Sequence, residues 1–163
     1  MPAPHGPAAA VVPGSARRVP DTSFGWHAMR SLKVVDYMAD HLVTFTARTS
    51  VVEAITAFID HRISGAPVVD DEGRLIGMLS ELDVLTVMIQ DSYYNERHGI
   101  VGDCMRAPVD TVDAETDIFT LAERFVSERR RRFPVVRDGR LVGQISRRDV
   151  LRAARDLMEL DQA

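Results

Sequence analysis

Apolar residues recur along this chain with two periods, and the alternation of those periods happens twice. Val52, Ile55 and Ile59 stand at i, i+3 and i+7; Ile118, Leu121, Ala122 and Phe125 stand at i, i+3, i+4 and i+7. That spacing lines one side of a helix, so each stretch predicts an amphipathic helix, with Thr49 or Thr116 as its N-cap. Short apolar runs follow. "PVVDDEGRLIGML" from Pro67 and "PVVRDGRLVGQI" from Pro134 each predict a hairpin. The second closes on Asp138-Gly139, a pair suited to a tight primed turn. A last helix follows each hairpin, with Val84, Leu85, Met88 and Ile89 as the apolar side of one. Val150, Leu151, Ala154, Leu157 and Met158 form that of the other.

The two stretches are copies. "VVDYM" (34–38) matches "VGDCM" (101–105), "LVTF" (42–45) matches "VDTV" (109–112), and "TSVVEAITAFI" (49–59) matches "TDIFTLAERFV" (116–126). The offset is 67 through the strands that start at Pro67 and Pro134 and 66 beyond the turn that follows, because one turn is a residue shorter. A slip confined to a turn is how two copies of one fold differ. Each copy reads as strand, helix, strand, strand, helix, an α/β (α+β) repeat. The organisation expected is a Pro/Ala-rich disordered tail at 1–22 and a short helix at 23–33 with Trp26 and Met29 on its apolar side. Repeat 1 follows at 34–90, a linker at 91–100, repeat 2 at 101–158 and a tail at 159–163.

Composition narrows the classes. At 163 residues and 45% hydrophobic, the chain can build a core. Its net charge of −4 does not suggest nucleic acid or an anionic membrane as partner. One cysteine, Cys104, permits no internal disulfide and fits a reducing compartment, so a cytoplasmic location is expected. No apolar run reaches membrane-spanning length, and the proline-broken amino terminus does not read as a signal peptide. The five histidines have no metal spacing. There is no Ser-His-Asp pattern, glycine-rich phosphate loop or paired catalytic acid, so no enzymatic activity is expected.

What stands out is Ser-x-x-Asp closing an apolar strand twice, at Ser80–Asp83 and at Ser146–Asp149. As structure, such a serine caps a helix start and the acid completes a capping box while answering the helix dipole. As chemistry, the same helix start suits a phosphate, and a carboxylate suits the paired hydroxyls of a ribose.

With its opening Asp-x-Met (Asp36, Met38; Asp103, Met105), its Thr44 and Thr111 strands, its Pro-Val-Val strands and its closing Gly-x-x-Ser-x-x-Asp, the chain resembles a tandem pair of CBS domains, a Bateman module. The resemblance runs from about Val34 to about Leu157. It implies two β-α-β-β-α repeats packed about a pseudo-twofold axis, dimerisation of two such modules, and an adenine nucleotide (AMP, ADP or ATP) or S-adenosylmethionine in the cleft between repeats. It further implies ribose at Asp83 and Asp149, phosphate near Ser80 and Ser146, and adenine at Thr44, Ala66 and Pro67 or at Thr111, Phe133 and Pro134.

The copies differ in charge. Residues 34–90 carry 3 basic and 9 acidic side chains, net −6; residues 101–155 carry 12 and 9, net +3. "ERRRRFP" places Arg131 and Arg132 before Phe133-Pro134, where the first copy has Ser64 and Gly65, and Arg147 and Arg148 open the last helix. The sites are therefore expected to be unequal. The one with Thr111, Arg131, Arg132, Phe133, Pro134, Ser146, Arg147 and Asp149 is the stronger. The one with Thr44, Ala66, Pro67, Ser80 and Asp83 is the weaker. The reading is a regulatory module with no cofactor or metal, signalling to an unknown protein target. The alternatives are a dimerisation domain without a nucleotide, or a nucleic-acid binder through Arg129–Arg132, which the acidic first copy disfavours.

Overall fold

The structure is a computed structural model and describes residues 10–12, 32–94 and 99–161. In chain order its elements are β1 (Ala10–Val12), α1 (Val34–Tyr37), β2 (Leu42–Thr44), α2 (Val51–His61), β3 (Gly65–Val69), β4 (Leu75–Ser80) and α3 (Glu81–Tyr94). There follow α4 (Val101–Cys104), β5 (Val112–Asp113), α5 (Ile118–Glu128), β6 (Arg132–Arg137), β7 (Arg140–Ser146) and α6 (Arg147–Asp161). The expected helix at 23–33 and residues 95–98 of the linker lie outside the described residues, Leu32 and Lys33 apart.

The chain divides into two compact units that do not coincide with the sequence repeats. Among the described residues, the first holds 10–12, 41–94, 99–109 and 138–141; the second holds 32–40, 110–137 and 142–161. Each opening Asp-x-Met segment therefore belongs with the other copy's hairpin. In the second unit the Val34 and Val35 amides donate to the Thr116 and Ala114 carbonyls at 2.9 Å each. In the first, the Val101 and Gly102 amides donate to the Thr49 and Ala47 carbonyls at 2.8 and 2.9 Å. Both glycines of the closing motif exist for this docking. A Cβ at Gly77 would lie 2.5 Å from Met105 Sδ, and one at Gly143 would lie 2.5 Å from Met38 Sδ and 2.7 Å from the Ala39 carbonyl.

In the first unit β3 and β4 run antiparallel, and Phe45, just past β2, bridges Val68 in parallel. The core gathers Phe45, Val51, Phe58, Val68, Leu79 and Val101, with the Phe45 and Phe58 rings edge to face at 5.6 Å. In the second unit β5 is parallel to β6, which lies beside β7. Val34, Leu121, Phe125, Phe133, Val135 and Ile145 fill that core. Asp138 (φ 52°) and Gly139 (φ 76°) both turn left-handed, as the primed turn requires.

Four expectations need correction. Ala10–Val12, placed in a disordered tail, pairs antiparallel with Leu42–Thr44. The N-caps fall one residue later than expected. Ser50 caps α2 in a full capping box with Glu53, and Asp117 caps α5 through the Phe119 and Thr120 amides. Thr49 instead is buried and accepts from the Thr46 amide. On α2 the core face is Val51, Ala54 and Phe58; of the expected stripe Ile55 is half-buried against that core, while Val52 and Ile59 are exposed. Finally, α3 continues to Tyr94 and α6 to Asp161, into segments expected to be linker and tail. Among the described residues no helix is long and apolar enough to cross a membrane, and no cluster could hold a metal ion.

Candidate functional site

In each unit the last strand of the hairpin runs straight into a helix, so the serine ending the strand sits at the helix start. In the first unit the Ser80 amide and hydroxyl both donate to Asp83 Oδ2, at 2.9 and 2.6 Å, and the Asp83 amide donates back to Ser80 Oγ at 3.2 Å. This is the reciprocal capping box. Asp83 Oδ1 accepts from Arg106 Nε at 2.7 Å, and the Asp83 side chain is only 8% exposed. Burial pushes its pKa up, but the hydrogen bonds from Ser80 and the Arg106 guanidinium outweigh burial and hold the carboxyl below the ordinary carboxylate range.

A depressed carboxylate pKa contributes stability above the unfolded-state value and loses it as the pH falls through the folded value. Asp83→Asn should therefore lower stability at neutral pH by about 1–3 kcal/mol, the cost of losing charge-assisted bonds at a buried site. Thermal melts at pH 7 and in strong acid check this: the gap should close in acid, and a constant gap would show that the charge contributes nothing.

The second unit repeats the arrangement. The Ser146 amide and hydroxyl donate to Asp149 Oδ2 at 2.7 and 2.8 Å. Asp149 Oδ1 pairs with Arg152 Nη2, which also donates to the Tyr37 carbonyl at 3.1 Å. Two bonds draw the arginine segment to this helix start: the Arg147 amide donates to the Arg131 carbonyl at 3.3 Å, and Arg147 Nε donates to the Arg130 carbonyl. Arg131, Arg147 and Arg148 are exposed and Arg132 is half-buried. Two arginines in the first turn of α6 oppose the helix dipole, so an added anion there would be stabilised by both. The first unit has Glu81 and Leu82 in their place.

Phe133, Pro134, Ala66 and Pro67 are core side chains, and Thr44 is buried. Thr111 lies beside β5, and its carbonyl accepts from Arg124 Nη1 at 2.7 Å. The Arg124 guanidinium stacks 4.4 Å over the Phe133 ring and also pairs with Glu128. Arg130 is exposed and tied to Asp110 and Glu128. The fold thus gathers Ser146, Asp149, Arg131 and Arg147 at one strand-to-helix junction, and Ser80 with Asp83 at the other. Sequence reasoning missed Arg106, Arg124 and Arg152. Arg152 was within reach, three residues after Asp149 on one helix. Arg106 was not, since its approach to Asp83 depends on the exchanged opening segment.

The CBS domain model matches residues 34–90 and 101–156. Over 77% of this chain and 98% of its own, the crystal structure of CBSX2 from Arabidopsis thaliana in complex with AMP superposes with a TM-score of 0.67 at 30% identity. The CBS domain pair of MJ0100 in complex with 5-methylthioadenosine and S-adenosyl-L-methionine covers 74% of this chain and 97% of its own, with a TM-score of 0.61 at 26% identity. The protein MJ1225 of Methanocaldococcus jannaschii is 30% identical over 119 residues, 73% of this chain; that stretch spans 41% of MJ1225, so the match is to part of a longer protein.

Proposed function

Because the chain belongs to the CBS domain family, we propose that it is a non-catalytic regulatory module of the cytoplasm that binds an adenine nucleotide and transmits the event to a partner protein. The observation that carries this reading is the second unit's helix start. There Ser146 and Asp149 meet Arg131, Arg147 and Arg148 at the positive end of α6. Asp149 serves the ribose hydroxyls, while Ser146, Arg131, Arg132 and Arg147 serve the phosphate. Backbone near Thr111, Phe133 and Pro134 borders the base. The Thr44, Ala66, Pro67, Ser80 and Asp83 set of the first unit lacks the matching arginines and is the weaker site. AMP in CBSX2 and S-adenosylmethionine in MJ0100 support this ligand class. Binding energy then selects among conformations that the partner distinguishes.

A thermal-shift series with AMP, ADP, ATP and S-adenosylmethionine tests the reading. Ligand at 100 times its dissociation constant adds about 2.7 kcal/mol of stability. A concentration-dependent rise with at least one of the four is expected; no rise with any would overturn it.

A homodimer forms part of the proposal. Leu82, Leu85, Met88 and Ile89 of α3 and Val52 and Ile59 of α2 are about half or more exposed, as are Leu151 and Met158 of α6. Apolar helix faces of this extent mark an association surface. Ile89→Asp with Leu85→Asp should turn the dimer into a monomer in light scattering; a monomeric wild type, or an unchanged variant, would refute it.

A further inference from the structure

We propose that Arg106 is a specificity-determining residue that closes the Asp83 site, so that a nucleotide enters only the Asp149 site; this rests on the nucleotide-binding reading above. A carboxylate has about four lone-pair positions. Ser80 takes both on Asp83 Oδ2, and Arg106 Nε takes one on Oδ1. A ribose diol needs two, so Asp83 can meet it only if Arg106 leaves. The backbone of Arg106 is fixed: its amide donates to the Met78 carbonyl at 2.8 Å and its carbonyl accepts from the Met78 amide at 3.0 Å. Met105, next to it, sits in the notch over Gly77. The guanidinium therefore reaches Asp83 from a segment bound to β4.

The second unit has the same bridge with another side chain. The Ala39 amide donates to the Gln144 carbonyl, and the Gln144 amide to the Ala39 carbonyl, both at 2.8 Å, while Met38 fills the notch over Gly143. Ala39 is thus the structural counterpart of Arg106, and it ends at Cβ. The cation on Asp149 is Arg152, three residues along the same helix. Its counterpart, Thr86, spends its hydroxyl on the Leu82 carbonyl at 2.8 Å. Arg152, half exposed and also held by the Tyr37 carbonyl, reaches Asp149 within one helix, and an i,i+3 pair is weak and yields to a ligand. Nothing comparable frees Asp83, because Glu81 and Leu82 offer an incoming phosphate no cation in exchange. One position, arginine in one unit and alanine in the other, separates a closed site from an open one.

Titration calorimetry with AMP on the full chain tests this. Wild type should bind one AMP per chain, Arg106→Ala should bind two, and Arg106→Lys should stay at one. A gained equivalent is a readout that a merely structural role would not produce. Ala39→Arg should weaken the wild-type site at least tenfold, and it carries the test along with Arg106→Gln should Arg106→Ala fail to fold. Two equivalents in wild type, one in Arg106→Ala and Arg106→Gln, or an unaltered Ala39→Arg would overturn the role of Arg106 while leaving nucleotide binding intact. No AMP bound by wild type or by Arg106→Ala would overturn the role of Arg106, and the nucleotide reading falls with it only if ADP, ATP and S-adenosylmethionine also fail to bind.

Discussion

Replacing Phe133 by alanine is expected to cost about 3–5 kcal/mol, the usual penalty for emptying a core phenylalanine site. The resemblance places this residue beside the base, yet its side chain is wholly buried, 5.0 Å from the Phe125 ring and beneath the Arg124 guanidinium. Against a total stability of about 5–15 kcal/mol, that loss threatens the fold of the second unit. Urea denaturation checks it, with Val126→Ala on the exposed side of α5 expected to stay within about 0.5 kcal/mol. A cost below about 1 kcal/mol for Phe133→Ala would mean that the ring is not core. Any loss of ligand in this variant would follow from its stability, which separates it from a true contact residue.

Asp149→Ala is expected to remove nearly all of the ligand-linked stabilisation, about 2.7 kcal/mol at 100 times the dissociation constant. It should also lower the ligand-free melt, because Ser146 loses the acceptor of its amide and hydroxyl. The two losses separate by experiment, since only one depends on ligand concentration. Asp83→Ala should leave the ligand-dependent part largely intact. Equal losses in the two variants would contradict the inequality of the sites.

Much of this arrangement was legible in the chain. The two-fold repeat, the hairpins and the Ser-x-x-Asp junctions all rest on local spacing, and the Asp138-Gly139 turn has the backbone that its residues imply. The α5 stripe of Ile118, Leu121 and Phe125 is its buried face, while Phe119 and Val126 stay exposed. On α2, apolar residues cover two adjacent stripes, and periodicity cannot say which one faces inward. Val51 and Phe58 took the core and left Val52 and Ile59 outside. The capping residues were misplaced by one because Thr49-Ser50 and Thr116-Asp117 each offer two acceptable caps.

The exchange of opening segments lay beyond local reading. Nothing in "VGDCM" says that Val101 enters the core with Phe45, or that Arg106 reaches Asp83. The glycine of the closing motif was visible, but its purpose depends on a methionine about thirty residues away in one unit and over a hundred in the other. Tertiary contact also decided the fate of the arginine run. Both Arg130 and Arg131 stay exposed, but Arg130 is drawn to Asp110 and Glu128 while the Arg131 carbonyl accepts from the Arg147 amide.

Native mass spectrometry of the chain incubated with adenine nucleotides and S-adenosylmethionine tests the central claim most directly. A species carrying a bound adenosyl ligand, present in wild type and lost in Asp149→Ala, is the expected result. Protein that stays bare with every one of these ligands, or an Asp149→Ala variant that retains them as wild type does, would contradict it.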